Sequence, residues 1–127
     1  MLTWHLLADD VEAAESRLSE EDVYRRDLDW LSRCDVLVAE ASGSSYGVGF
    51  EVGYILGRAH RQAHGATSGP NRAAASGRRV VLLYDTARRA NVSRLITGNR
   101  DAQCTTFGYS SIEELLAFID REFATLG

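Results

Sequence analysis

The order of apolar runs and helical stripes predicts an α/β fold: a flavodoxin-like or Rossmann-like three-layer sandwich around a parallel sheet. Three observations carry that expectation. Short strand-like runs at residues 2–7, 34–38, 78–84 and 104–107 alternate with segments of helical periodicity, which is a β-α-β-α-β-α-β-α order. The runs at 34–38 and 78–84 are nearly continuous in apolar and β-branched residues, as strands covered on both faces are. After the second run, residues 39–53 (AEASGSSYGVGFEVG) pass through a Gly/Ser turn into helical spacing, the arrangement by which open α/β folds build a crevice.

Composition sets the outer limits. A chain of 127 residues with 45% apolar and 25% charged residues suits one domain, 1–127, with a full core. The net charge of -4 argues against binding to a nucleic-acid backbone, which calls for a basic face. Every basic residue apart from the three histidines is arginine, so Schiff-base chemistry and a P-loop lysine are excluded. Cys34 and Cys104 lie far apart, each beside an expected strand, and read as buried free thiols rather than a disulfide or zinc framework. No apolar run approaches membrane-spanning length and nothing at the start resembles a signal peptide, so the expected compartment is the cytoplasm.

Along the chain, residues 2–7 read as a strand and 8–18 as an acidic surface segment. Ser19, followed by Glu20, Glu21 and Asp22, predicts a capped helix start, with the helix running to about Ser32. Val23, Leu28, Trp30 and Leu31 form its apolar side, and Asp27 falls on the same stripe, where a carboxylate calls for a partner or a task. Asp29 lies off it. His60 and His64 are spaced i, i+4, but with no third ligand in sight they read as a polar helix end rather than a metal pair. Residues 65–77 hold the only proline and read as a surface loop. After the strand at 78–84 come a turn, a short helix with Val92, Leu95 and Ile96, and Gly98 as its stop. The final helix opens with a capping box at residues 110–114 and has an apolar face of Leu115, Leu116, Phe118, Ile119 and Phe123.

The crevice offers His5, the serines at 42–45 and Glu51. Ser44, Ser45 and the amides of a Gly-rich turn suit an anion such as phosphate, although most Gly/Ser turns are only turns. Glu51 is expected in the first turn of the helix, either as a solvated acid or as a nucleophile or electrostatic stabiliser. With Asp27 it could form a two-carboxylate site for cleaving a glycosidic bond; alternatively, Asp27 is a hydrogen-bond acceptor in the packing.

Three blocks point further. Asp27-Leu28-Asp29-Trp30-Leu31, then Asp35-Val36-Leu37-Val38-Ala39-Glu40, then Ser45-Tyr46-Gly47-Val48-Gly49-Phe50-Glu51-Val52-Gly53 resemble, in order and separation, the nucleoside 2-deoxyribosyltransferase superfamily. The resemblance favours the hydrolase branch, the 2'-deoxynucleoside 5'-monophosphate N-glycosidases, and covers nearly the whole chain. It implies Glu51 as the catalytic glutamate acting on C1' of the sugar, and Asp27 as the acid that orients the sugar or protonates the departing base. It implies Ser45 as a phosphate ligand within a turn containing Gly47 and Gly49. Ser93, on a shorter motif, is implied as a second phosphate serine reaching the neighbouring site of a homodimer. His5 is a candidate for the pocket wall. The implied ligand is a nucleotide, with no cofactor, metal, nucleic acid or membrane.

Two serines at the phosphate end favour hydrolysis over transfer to a second base, the nearest alternative; a non-catalytic nucleotide-binding protein is the alternative from another class. In one respect the chain departs from the pattern. Family members begin with another strand and a G-S-x-R-G-type loop, so the first βα unit is expected to be missing here, through a start assigned too late.

Overall fold

Three parallel strands in the order β1-β2-β3 form the sheet of the computed structural model: β1 Val36–Glu40, β2 Arg79–Asp85 and β3 Cys104–Tyr109. The structure describes residues 11–43, 45–65 and 77–124, with backbone alone at 14 and 62–65. The expected strand at 2–7, with His5, lies outside the described residues, as do Ser44 and most of the expected loop. The chain divides into two compact units, Met1–Asp35 and Val36–Gly127.

In the second unit, β1 pairs with β2 from Val36↔Arg79 to Glu40↔Leu83, and β2 with β3 from Val80↔Cys104 to Asp85↔Tyr109. The central strand is buried along Val80, Val81, Leu82, Leu83 and Tyr84, as its continuous apolar run predicts. Alternation sends Val81 and Leu83 to one face, where they pack with Phe118, Leu115, Ile119 and Phe123 of α5 (Ile112–Phe123). Val80, Leu82 and Tyr84 face the other way. Helix α3 (Tyr46–Gly65) packs on β2 and β1 and buries Val52, Ile55 and Ala59, so the sheet is covered on both sides. This is the expected α/β architecture of flavodoxin-like type.

Several boundaries differ from the sequence reading. β1 starts two residues late, since Cys34 is the C-cap of a helix, and it is only half-buried, with Val38 46% exposed. Cys34 and Cys104 form no disulfide and are half-buried rather than buried. β3 runs on to Tyr109 through Gly108, paired with Tyr84 and Asp85 of β2, and the Tyr84 ring lies across that glycine; a methyl there would meet Tyr84 Cζ at 2.7 Å. Residues 86–91 form a 3-10 turn capped by Asp85, and α4 (Arg94–Thr97) ends at Gly98. Gly98 has φ of -93°, so its lack of a side chain serves a close approach: a methyl would lie 2.7 Å from Arg94 O. Leu116 is 54% exposed rather than part of the α5 core face. Gly65 belongs to α3, not to the following loop.

The first unit contains α1 (Val11–Glu15) and α2 (Glu20–Arg33). The predicted cap is present: Ser19 Oγ accepts from Asp22 N at 3.1 Å, and the Asp22 carboxylate accepts from Ser19 N at 3.3 Å. Leu31 is buried and Val23, Leu28 and Trp30 are half-buried, as their spacing predicts.

Candidate active site

Helix α3 starts at Tyr46, so Gly47 and Gly49 are helical residues rather than turn residues. Ser45 is its cap, accepting from Val48 N at 3.2 Å while its carbonyl accepts from Gly49 N. Glu51 is therefore in the second turn, not the first, which corrects the expected placement and weakens the helix-dipole argument, since that effect fades within one turn. The correction has a positive side. The first turn of α3 carries no acid, so the positive end of the helix is not neutralised by its own carboxylate.

Helical side chains lean toward the N-terminus over the residue four positions back. For Glu51 that residue is Gly47, which has no side chain. Among the described residues a methyl on Gly47 would meet Ser45 Oγ alone, at an ordinary 3.6 Å, so their packing does not require glycine there.

The structure thus gathers Ser45, Gly47, Gly49 and Glu51 on one short stretch leaving β1. Ser93 caps α4 and accepts from Leu95 N at 3.2 Å. Asp27 is in the first unit, on α2, where it accepts from Arg26 Nε at 3.0 Å, with its side chain 39% exposed. Arg26 also grips Glu15 through both terminal nitrogens, at 2.6 and 3.1 Å, and lies 4.7 Å over the Trp30 ring. Its charge is held by Glu15 first and Asp27 second, which raises the guanidinium pKa. Asp27 therefore has the partner that its place on the stripe calls for.

A second polar group was not singled out by sequence. Glu40, Asp85 and Tyr109 are the last residues of β1, β2 and β3. Buried Ser42 donates its hydroxyl to Glu40 and accepts Asp85 N at 2.7 Å, while Tyr109 Oη donates to Glu40 Oε1 at 3.1 Å. Burial, with the carboxylates of Glu40 and Asp85 nearby, pushes the Tyr109 phenol upward and keeps it a donor. The available signal was positional, a polar residue closing each parallel strand. His60 and Asp101 form a further pair at 2.5 Å, and among the described residues no cluster of His, Cys, Asp and Glu could hold a metal.

Fold and site together define an α/β protein of flavodoxin-like type with a polar carboxyl edge. No family profile matches the chain. Among curated proteins it is similar to one of Thermofilum pendens that carries the provisional name 2'-deoxynucleoside 5'-phosphate N-hydrolase 1, 33% identical over 94% of this chain and 71% of the relative. It is similar to the 5-hydroxymethyl-dUMP N-hydrolase of Homo sapiens, 28% identical over 97% of this chain and 62% of the relative. A relative in Methanococcoides burtonii, with the same provisional name as the first, is 42% identical over 41% of this chain and 43% of its own. The chain belongs to the 2'-deoxynucleoside 5'-phosphate N-hydrolase family, within the nucleoside 2-deoxyribosyltransferase-like superfamily. It spans less than two thirds of the human and Methanococcoides relatives. No helix among the described residues is long and apolar enough to cross a membrane.

Proposed function

We propose that the chain hydrolyses the N-glycosidic bond of (2'-deoxy)ribonucleoside 5'-monophosphates, releasing free base and (deoxy)ribose 5-phosphate. The observation that carries this reading is the 33% identity, over 94% of the chain, to a relative named for that reaction. Glu51 is the nucleophile or stabiliser at C1', where breaking the bond builds oxocarbenium character. As nucleophile, its carboxylate forms a glycosyl ester as the base leaves with the bonding electron pair and acquires a proton; water then cleaves the ester. Asp27 orients the sugar or supplies the proton to the base.

Ser45 binds the 5'-phosphate. Its Oγ accepts from Val48 N, and its own O–H is the donor for a phosphate oxygen, beside a helix end that carries no acid. Gly47 and Gly49 keep side chains out of the ligand's way. Ser93, a cap of the same kind, serves the phosphate of the neighbouring site in a homodimer.

Incubation with nucleoside 5'-monophosphates, with and without an acceptor base and followed by chromatography, tests the reading. Free base and sugar phosphate are expected regardless of acceptor, and Glu51→Gln lowers the rate about a thousandfold. A new nucleotide formed only when acceptor is present would instead make the protein a transferase. Binding without base release by the unmodified protein would leave only the nucleotide-binding alternative.

A further inference from the structure

Just beyond the carboxyl end of β1 sits a buried hydroxyl with no part in the chemistry above. Ser42 is 6% exposed, and its hydroxyl joins two strands. It accepts the backbone N–H of Asp85 at the end of β2 and donates to Glu40 at the end of β1. The Ser42 amide also donates to both Glu40 oxygens, at 3.2 Å each, and Tyr109 adds β3 through its hydroxyl. One hydroxyl and one carboxylate thus hold the carboxyl ends of all three strands.

What leaves this clasp matters more than the clasp itself. From Ser42 the chain reaches Ser45, the cap of α3, in three residues. From Asp85 it enters the 3-10 turn directly, because the Asp85 carboxylate accepts Ala87 N at 2.8 Å. That turn ends at buried Val92, and the next residue is Ser93. Both serines assigned to phosphate therefore stand on segments that start at the two ends of the Ser42–Asp85 hydrogen bond.

We propose that Ser42, supported by Glu40 and Tyr109, is a positioning residue for phosphate recognition, setting the Ser45 segment for the phosphate of its own site and the Ser93 segment for that of the neighbouring site. The proposal rests on the nucleotide-hydrolase reading. Ser42 does not touch the ligand; it acts through the backbone it holds. A clasp that only stabilised the sheet would weaken every substrate alike, whereas a positioning clasp governs the preference for a phosphorylated substrate over the bare nucleoside.

The test uses the full chain and a matched pair, a nucleoside 5'-monophosphate and its nucleoside, with kcat and KM measured for each. Ser42→Ala is expected to lower the monophosphate preference in kcat/KM about tenfold, mainly through KM, as expected when ground-state binding is lost. Ser42→Thr, which keeps the hydroxyl, is expected to restore most of it. Tyr109→Phe removes one oxygen at the outer end of the network and should lower the preference about threefold; it serves as the test if Ser42→Ala does not fold.

Equal losses on both substrates, or Thr failing as far as Ala, overturn the proposal. If the unmodified protein releases no base, the hydrolase reading falls on that result alone. The same contrast is then read calorimetrically as monophosphate affinity, where an unchanged Kd in the variants overturns the clasp separately. A protein that neither cleaves nor binds the monophosphate overturns both.

Discussion

Helices α3 and α5 pack on the same sheet but are specified in different ways. α5 contains its own instructions: Ser111 Oγ accepts from Glu114 N, Glu113 and Glu114 complement the positive end, and Phe118, Leu115 and Ile119 form one apolar stripe. The Glu114 carboxylate accepts from the Ser110 hydroxyl and amide, which lowers its pKa. α3 contains Gly47, Gly49, Gly53 and Gly57, no first-turn acid, and exposed Tyr46 and Phe50. Its support includes a serine cap, the Arg58–Tyr54 hydrogen bond, the His60–Asp101 pair and the burial of Val52, Ile55 and Ala59. The helix that bears the candidate nucleophile is more weakly encoded by its local sequence than α5, as expected where ligand chemistry competes with helix formation.

The largest effect that sharpens this contrast is in the two packing faces. Ile55→Ala and Phe118→Ala should each cost about 2–5 kcal/mol in denaturant unfolding, since both side chains are buried. Hydrogen exchange in the Ile55 variant should open α3 well before α5, because burial is most of what holds α3. Synchronous opening would break the comparison.

The caps come next. Ser111→Ala and Ser45→Ala should each cost about 1 kcal/mol, seen as a fall in Tm of a few degrees. Only Ser45→Ala should also raise KM for a nucleoside monophosphate. Smaller still, Gly53→Ala should add up to about 1 kcal/mol of stability, as a methyl there meets no atom of the described residues within 4 Å. A loss instead would mean that the bare strip of α3 is covered in the working protein.

The smallest effect concerns acid. Hydrogen bonds from Gln103 N and then His60 hold the Asp101 carboxyl below its ordinary value of 3.8. A carboxyl pKa lowered by folding contributes stability above that value and loses it as pH falls through the folded pKa. The acid limb of unfolding should therefore flatten below about pH 4 in Asp101→Asn, in a comparison of Tm against pH.

Legibility followed the same division. The order of the three described strands, the Ser19 cap, the α5 face apart from exposed Leu116, and the buried run of β2 were readable, because each is a local pattern that the packing reinforces. The start of α3 was misread because glycines argue against a helix, and only Ser45's bond to Val48 N marks where it begins. Gly108 read as the end of a strand because nothing local shows that Tyr84 crosses it. The Ser42 clasp was invisible for a similar reason: its partners are 43 residues away at Asp85 and, through Glu40, 69 residues away at Tyr109.

The parallel register has a kinetic consequence. Neither pair of described strands can zip from a hairpin; each must first close a long loop. Val80 meets Cys104 across a loop little more than half as long as the one that brings Val36 to Arg79. Loop entropy favours the shorter closure by roughly 0.5 kcal/mol. Pairing of β2 with β3 under α5 should accordingly come before β1 docks, which makes the strand that leads into Ser42, Ser45 and Glu51 the last to be set in place.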